Sequence, residues 1–298
     1  MLTAFGKSGR LWRGNLHGHS TRSDGAVSPE EICTRYREAG YDFVAITDHF
    51  LPEFGFPITD TRAYRRDGFT TLLGAEVKAP SPSRNDLWHI VAVGLPEDFP
   101  PTRDGETGPA LAARCAEAGA FVALAHPHCS QLTSEDGLAI EAAHAVEVYN
   151  HKATIDADRG DGLVLFDALL HAGRRIFAIA ADDSHWHFPD AFCAWVMVRA
   201  EANEPQALLD ALKAGAFYAS TGPEIHHVAL DGDELEVACS PSDSVILVGP
   251  LGLRMAKVGT GITRARLPVE AERGGWRRLI VRDAYGRRAW SNPLWLRD

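Results

Sequence analysis

Residues 15–25 read NLHGHSTRSDG, placing His17, His19 and Asp24 within eight positions of one another. An imidazole pair one residue apart can face the same way from an extended chain, because alternate side chains point to the same side. Two nitrogens and a nearby carboxylate can then reach one cation. The 13 histidines of the chain form three such His-x-His pairs, at 17/19, 126/128 and 185/187, so the first pair alone carries little weight. The recurrence of metal-capable side chains at later positions carries more. Asp48 and His49 follow an apolar run, Glu76 follows another, His126 a third, and Asp183 and His185 a fourth, while His89 sits early in the run 87–94. Imidazole mixed with carboxylate and without thiolate suits Zn, Mn or Fe rather than Ca or a structural zinc.

These residues need elements that bring them together. Strand-like runs occur at 41–49, 70–76, 87–94, 120–128, 145–150 and 175–185, and helical patterns at 28–40, 107–118, 134–144 and 161–172. Ser28 reads as a helix cap, with Pro29 in the first turn and Glu31 reaching back. Alternation of this kind over some 200 residues predicts βαβ units and a parallel sheet, open or closed into a barrel. The C-terminal strand ends of such a barrel converge on one face, where distant residues share a pocket. From about residue 222 apolar and polar residues alternate between short turns, which predicts a small antiparallel β-module over 222–298 after a main unit over 1–221.

Composition sets outer limits. The hydrophobic fraction of 45% and charged fraction of 23% are those of an ordinary globular protein. No stretch is long and apolar enough for a membrane span, and the start lacks the apolar core of a signal peptide, so a cytoplasmic location is expected. Five cysteines without a CxxC pair suggest neither a disulfide framework nor a zinc-thiolate site. The net charge of −10 argues against binding a nucleic-acid polymer, and carboxylates gathered for metal ions are one source of it. Residues 264–298 depart from this, with nine Arg against four acids, and read as a solvated face. The segment GPLGLRMAKVGTG lacks the order of a phosphate-binding loop, and there is no GxSxG elbow.

The ordered set NLHGHSTRSDG, ITDHF, LLGAE, WHIVAVG, ALAHPH and AADDSH resembles the PHP superfamily (polymerase and histidinol phosphatase) over about residues 12–220. The lead-in and the tail from AFYASTGPEI to AWSNPLWL are similar to its CehA/McbA-type metallohydrolase branch. The resemblance implies a distorted seven-stranded (β/α) barrel holding two to three divalent metal ions (Mn, Zn or Fe). It implies that His17, His19, Glu76 and Asp183 hold the first ion, that Glu76 bridges to a second held by His89 and His126, and that Asp24, His49 and His185 hold a third. Asp24 stands where some relatives carry a histidine, and Asp182 is an acid without a counterpart.

The chemistry expected of such a centre is hydrolysis of a small phosphomonoester or diester by attack of a metal-bridging hydroxide. His128 and His187 are candidates for the general acid, with surface loop histidines as the plain alternative. Arg22 and Lys78 are candidate cations for a substrate phosphate, and Asp48 a candidate to orient a ligand histidine. The partner expected is a small-molecule phosphate ester, a nucleotide included. Two other readings stand beside this one: a metal-dependent hydrolase of a carboxylic ester, carbamate or amide, and a non-catalytic metal-binding module. The oligomeric state is left open.

Overall fold

Short runs rich in Val, Ile, Ala and Phe, buried on both faces, make the middle of a large sheet, as expected of strands covered on two sides. The computed structural model describes residues 3–80, 87–270 and 274–296. Its first ten strands are β1 (Arg10–Asn15), β2 (Phe43–Ile46), β3 (His49–Phe50), β4 (Thr70–Pro80), β5 (Leu87–Val93), β6 (Phe121–Leu124), β7 (Ala145–Asn150), β8 (Phe177–Ala181), β9 (Trp195–Ala200) and β10 (Phe217–Ser220). The remainder are β11 (Ile225–Asp231), β12 (Glu234–Val248), β13 (Arg254–Pro268), β14 (Trp276–Arg282), β15 (Arg288–Ser291) and β16 (Leu294–Trp295).

Neighbours run in the order β1-β2-β4-β5-β6-β7-β8 through the first part. The two ends of this path meet beyond the strands. Gly18 and Ser184 form a parallel bridge, His19 N donates to Ser184 O, and Asp183 N donates to His17 O. The predicted all-parallel pairing is corrected. β1, β2 and β4 are parallel, and so are β6, β7 and β8, but β5 runs antiparallel to both β4 and β6. The reason lies in the spacing. Six residues separate Pro80 from Leu87, too few for the dozen or more that a parallel crossover needs. The reversal brings the start of β5, rather than its end, level with the late residues of β4, where Lys78 pairs with His89. That is why His89 lies early in its strand.

Side-chain alternation sends neighbouring residues of one strand into different core clusters. Along β6, Val122 and Leu124 pack in one buried cluster with Leu165, Phe166 and Leu169 of the helix Leu163–His171, whereas Phe121 and Ala123 face the other with Leu208 and Leu212 of the helix Pro205–Lys213. The helix Pro29–Glu38 begins as expected, with Ser28 Oγ accepting from Glu31 N and proline in the first turn. The Glu31 carboxylate turns to Arg35 instead of back to the cap. The helix expected over 134–144 ends at Ala139, and His144 beyond it accepts a bond from Val122 N through Nδ1. The helices His151–Ala157 and Pro205–Lys213, and strands β9 and β10, were not anticipated.

The C-terminal strands are antiparallel as expected, and they extend the same sheet, because β15 pairs with β10, β10 with β9, and β9 with β1. Arg277 is fully buried within them and donates to the carbonyls of Val269, Glu270, Gly274 and Trp276. All five cysteines are free thiols. Among the described residues no helix is long and apolar enough to cross a membrane.

Candidate metal centre

The nine residues singled out as ligands come together in one cluster, most of them just past the strand ends on one rim of the sheet. His17 and His19 follow β1, His126 follows β6, and Asp183 and His185 follow β8. Backbone turns aim two of them: His126 (φ 24°) and Asp183 (φ 55°) take left-handed conformations that cost non-glycine residues energy and are found where a site demands them. Glu76 differs from expectation in lying inside a strand, since β4 continues to Pro80. Its N–H donates to the carbonyls of Thr47 and Asp48, which pins the carboxylate under the cluster. Asp24 is carried by the loop after β1. That loop folds back so tightly that Gly25 admits no side chain, a Cβ there standing 2.4 Å from the His19 carbonyl oxygen.

Four overlapping groups of donors result: His17, His19 and Glu76; His17, His126 and Asp183; Glu76, His89 and His126; and His19, Asp24, His49 and His185. Glu76 is the hub. Its Oε1 lies 2.7 Å from His89 Nδ1 and 3.1 Å from His126 Nε2, and its Oε2 contacts His49 Nδ1. His17 Nε2 and His19 Nε2 are 3.2 Å apart, and Asp183 Oδ1 stands 3.2 Å from the first and 3.0 Å from the second. Asp24 Oδ2 lies 3.3 Å from His49 Nε2 and its Oδ1 3.6 Å from His185 Nε2.

Charges follow from this crowding. Burial opposes ionisation of Glu76, but His89, His49 and His126 hold its carboxyl well below the usual range. Burial likewise opposes a cation on His17, yet Asp183 and Glu147 push it up to about 10. Burial lowers His19 to about 4, helped by His185 and His49. Asp183 is held well below its ordinary value, against burial, by His17 and His19.

The donor set fits divalent ions. Four donors around a zinc-sized ion at about 2.1 Å stand about 3.4 Å from one another, close to the spacing of the His17, His19 and Asp183 donor atoms. His19 Nδ1, His49 Nδ1 and Glu76 Oε2 are buried without an aligned hydrogen-bond partner, although His49 Nδ1 and Glu76 Oε2 touch. Buried polar atoms are seldom left so, and atoms that converge without bonding each other are arranged around a shared cation. The protons now distributed over this cluster are those that metal binding displaces.

A surrounding layer holds the donors, and much of it was not anticipated. Glu147, in β7, is fully buried; its Oε1 accepts from His17 Nδ1 at 2.7 Å and its Oε2 from His126 N and Asn150 Nδ2. The signal was in the sequence: an acid at the centre of the otherwise apolar run AVEVY. Asn150 Nδ2 also reaches Asp183 Oδ2, Ser130 Oγ bonds His126 Nδ1, and Asp190 accepts from the N–H groups of His185 and Trp186. Because Glu147 fixes His17 through the nitrogen turned away from the cluster, Glu147→Gln is expected to weaken metal retention about 10- to 100-fold. Competition with a chromogenic chelator measures this, and unchanged affinity would remove Glu147 from the site.

A cleft of about 420 Å³ opens above the donors, walled by Lys78, Lys152, Cys129, His187 and Phe188. Lys78 and His187 both line this cleft, with His187 Nε2 2.8 Å from the Asp24 carbonyl. Lys152, which sequence reading missed, pairs with Asp156 at 2.7 Å. Three expectations are corrected. His128 is exposed and lines a separate groove with Gln131 and Leu132, because the strand ends at Leu124 and the turn at His126 breaks the alternation. Arg22 is exposed and lies outside the cleft wall. Among the described residues the Asp48 carboxylate makes no hydrogen bond to a histidine; it accepts from Ser20 N, Ser20 Oγ, Ser23 Oγ and Thr59 Oγ1 and so braces the loop that carries Asp24.

Residues 15–155 match the PHP domain family. In fold the chain is similar to a two-domain protein containing a predicted PHP-like metal-dependent phosphoesterase from Bacteroides vulgatus, with a TM-score of 0.57 and 17% identity over 95% of each chain. Weaker likenesses link it to a proposed metal-dependent phosphoesterase from Bifidobacterium adolescentis (TM-score 0.43, 18% identity) and to an amidohydrolase from Chromobacterium violaceum (TM-score 0.44, 17% identity). Each covers 58% of this chain and 87% of its own. No curated protein matches.

Proposed function

Since residues 15–155 match the PHP domain family, we propose that the chain is a metal-dependent phosphoesterase acting on a small phosphomonoester or diester. The observation that carries this reading is the convergence of eight metal-capable side chains around a ninth, Glu76, beneath a cleft with two lysines at its wall. We read β1, β2 and β4 to β8 as a distorted seven-stranded barrel, supported by the Gly18–Ser184 bridge that joins its ends. Residues 1–221 would then form the metallohydrolase unit and 222–298 the β-module, in the manner of the CehA/McbA-type branch.

His17, His19, Glu76 and Asp183 would hold a first ion, Glu76 with His89 and His126 a second, and Asp24 with His49 and His185 a third. Two to three divalent ions of the Mn, Zn or Fe type would activate a water molecule near neutral pH and neutralise charge building on the phosphate. The chain's own residues do the remainder. Lys78 and Lys152 face the cleft and are placed to hold non-bridging phosphate oxygens. His187, exposed at the mouth, is placed to give a proton to a departing alkoxide. Glu147 and Asn150 fix His17, His126 and Asp183 so that the donors keep their aim.

A second reading, hydrolysis of a carboxylic ester, carbamate or amide, draws on the Lys152–Asp156 pair. It lowers the net positive charge of the cleft wall and puts a carboxylate near where a phosphate dianion would sit. Metal analysis of the purified protein with rates on p-nitrophenyl phosphate, bis-p-nitrophenyl phosphate and p-nitrophenyl acetate separates the two. Lys78→Ala is expected to lower kcat/KM on p-nitrophenyl phosphate roughly 10- to 100-fold, as for loss of one charge-assisted contact in a shielded site, and to leave metal content unchanged. Turnover of the acetate alone, indifferent to Lys78→Ala, would favour the second reading.

A further inference from the structure

A second cavity, of about 680 Å³, lies between β7, the helix His151–Ala157, and the strand β15 with the turn 285–287 before it, with Arg13 of β1 and Trp195 of β9 also in its wall. Its wall shares no residue with that of the metal cleft: His151 faces this cavity, whereas the adjacent Lys152 faces the other. The volume is that of an ordinary small-molecule site, and a seam between two structural units is a common place for one.

The chemistry of its wall is specific. Arg13 lies over Trp195, its guanidinium carbon 3.7 Å from the ring centroid, and over Tyr41 at 4.1 Å. Arg13 Nε is buried without a hydrogen-bond partner, and among the described residues no carboxylate lies within ion-pair reach of it. Trp290 is also in the wall. It is 2% exposed, its Nε1 is equally without a partner, and its ring stacks on Tyr149. Arg288 adds a cation whose nearest carboxylate, Asp161, is a loose 3.9 Å away. Arg287 is neutralised by Asp283 at 2.7 Å and contributes little free charge. Two orphaned N–H donors and two under-paired guanidinium groups lack an acceptor, and the partly exposed rings of Trp195 and Tyr149 and the exposed Tyr285 give the same wall apolar surface. One kind of molecule meets both.

We propose that this cavity is a binding site for a small planar aromatic anion, a single ring system carrying one phosphate or carboxylate. The acidic group would take the hydrogen bonds of Arg13 and Arg288, and the ring would lie against the aromatic side chains. The site is separate from the metal cleft and does not depend on the reaction assigned there.

Calorimetric titration of the purified protein with AMP and, in parallel, with 4-hydroxybenzoate tests this and distinguishes a phosphate-bearing from a carboxylate-bearing ligand. Saturable one-to-one binding of at least one probe is expected, accompanied by a change in tryptophan fluorescence. Arg288→Gln, at a side chain 42% exposed and free to change without disturbing the core, should raise Kd about tenfold, as for loss of one hydrogen bond to a charged group. Arg13→Gln should do the same or more, and Lys78→Ala at the metal cleft should leave Kd unchanged. Absence of saturable binding by both probes would overturn the proposal. So would binding that survives Arg288→Gln and Arg13→Gln but is lost in Lys78→Ala, since the anion would then occupy the metal cleft.

Discussion

Glu76→Gln is expected to cost about 10³-fold in kcat/KM, the scale of losing electrostatic stabilisation aimed at a developing charge, and to leave the protein with less bound metal. The physical reason is that this carboxylate serves several groups of donors at once. Its two oxygens face His89, His126 and His49, and the nearer nitrogens of His17 and His19 stand 3.9 and 3.8 Å away. Glutamine keeps the shape but removes the charge, and one of its two terminal atoms becomes a donor turned toward imidazoles. Metal content by mass spectrometry and kcat/KM on the preferred p-nitrophenyl ester measure the effect. A readout independent of turnover is the gain in Tm on adding Mn or Zn, which mass action ties to affinity. That gain should shrink in the variant. Full metal content with wild-type rates would remove Glu76 from the centre and with it the arrangement of the other ligands.

Asp182→Ala is expected to be the largest stability effect, about 3–5 kcal/mol, since several buried donors lose their acceptor together. Asp182 is fully buried, and burial pushes its carboxyl up to about 6 even though four donors pull the other way. Its Oδ1 accepts from Cys193 N and Ala194 N, and its Oδ2 from Tyr36 Oη and Phe192 N. Alanine would leave the N–H groups of Phe192, Cys193 and Ala194 without this acceptor and the Tyr36 hydroxyl with Ser184 Oγ in its place. Urea midpoints report the loss, and Asp182→Asn, which keeps one accepting oxygen, should fall between wild type and alanine. Equal stability of all three would show that solvent replaces these bonds at no cost. The acid that had no assignable role in the sequence thus acts as a structural hub, tying the turn at 192–194 to the strand end that presents Asp183.

The donor cluster was legible in the sequence because most of its members sit at or near the end of an apolar run, where composition changes sharply; Asp24 in a loop, Glu76 inside β4 and His89 early in β5 are the exceptions. His17, His19, His49, His126, Asp183 and His185 follow their strands within a few residues, so locating the run located the donor. The residues that the sequence misplaced sit where local rules stop applying. His128 follows a residue whose backbone has left the strand, Arg22 occupies an exposed loop, and Asp48 spends its oxygens on hydroxyls brought by loops 20–23 and 59. Lys152 belongs to a helix whose one turned-in face is set by the Asn150 cap and the strand before it.

The sequence by itself determined the identity of the donors, the alternation of strands and helices, and the antiparallel strands after about residue 222, because these depend on side-chain type and periodicity along the chain. Tertiary structure alone decided the direction of β5, the role of Glu147 and Asp182, and which cations reach the cleft. Those depend on which segments meet across the sheet, and a buried carboxylate has no preferred partner until folding brings one within about 3 Å.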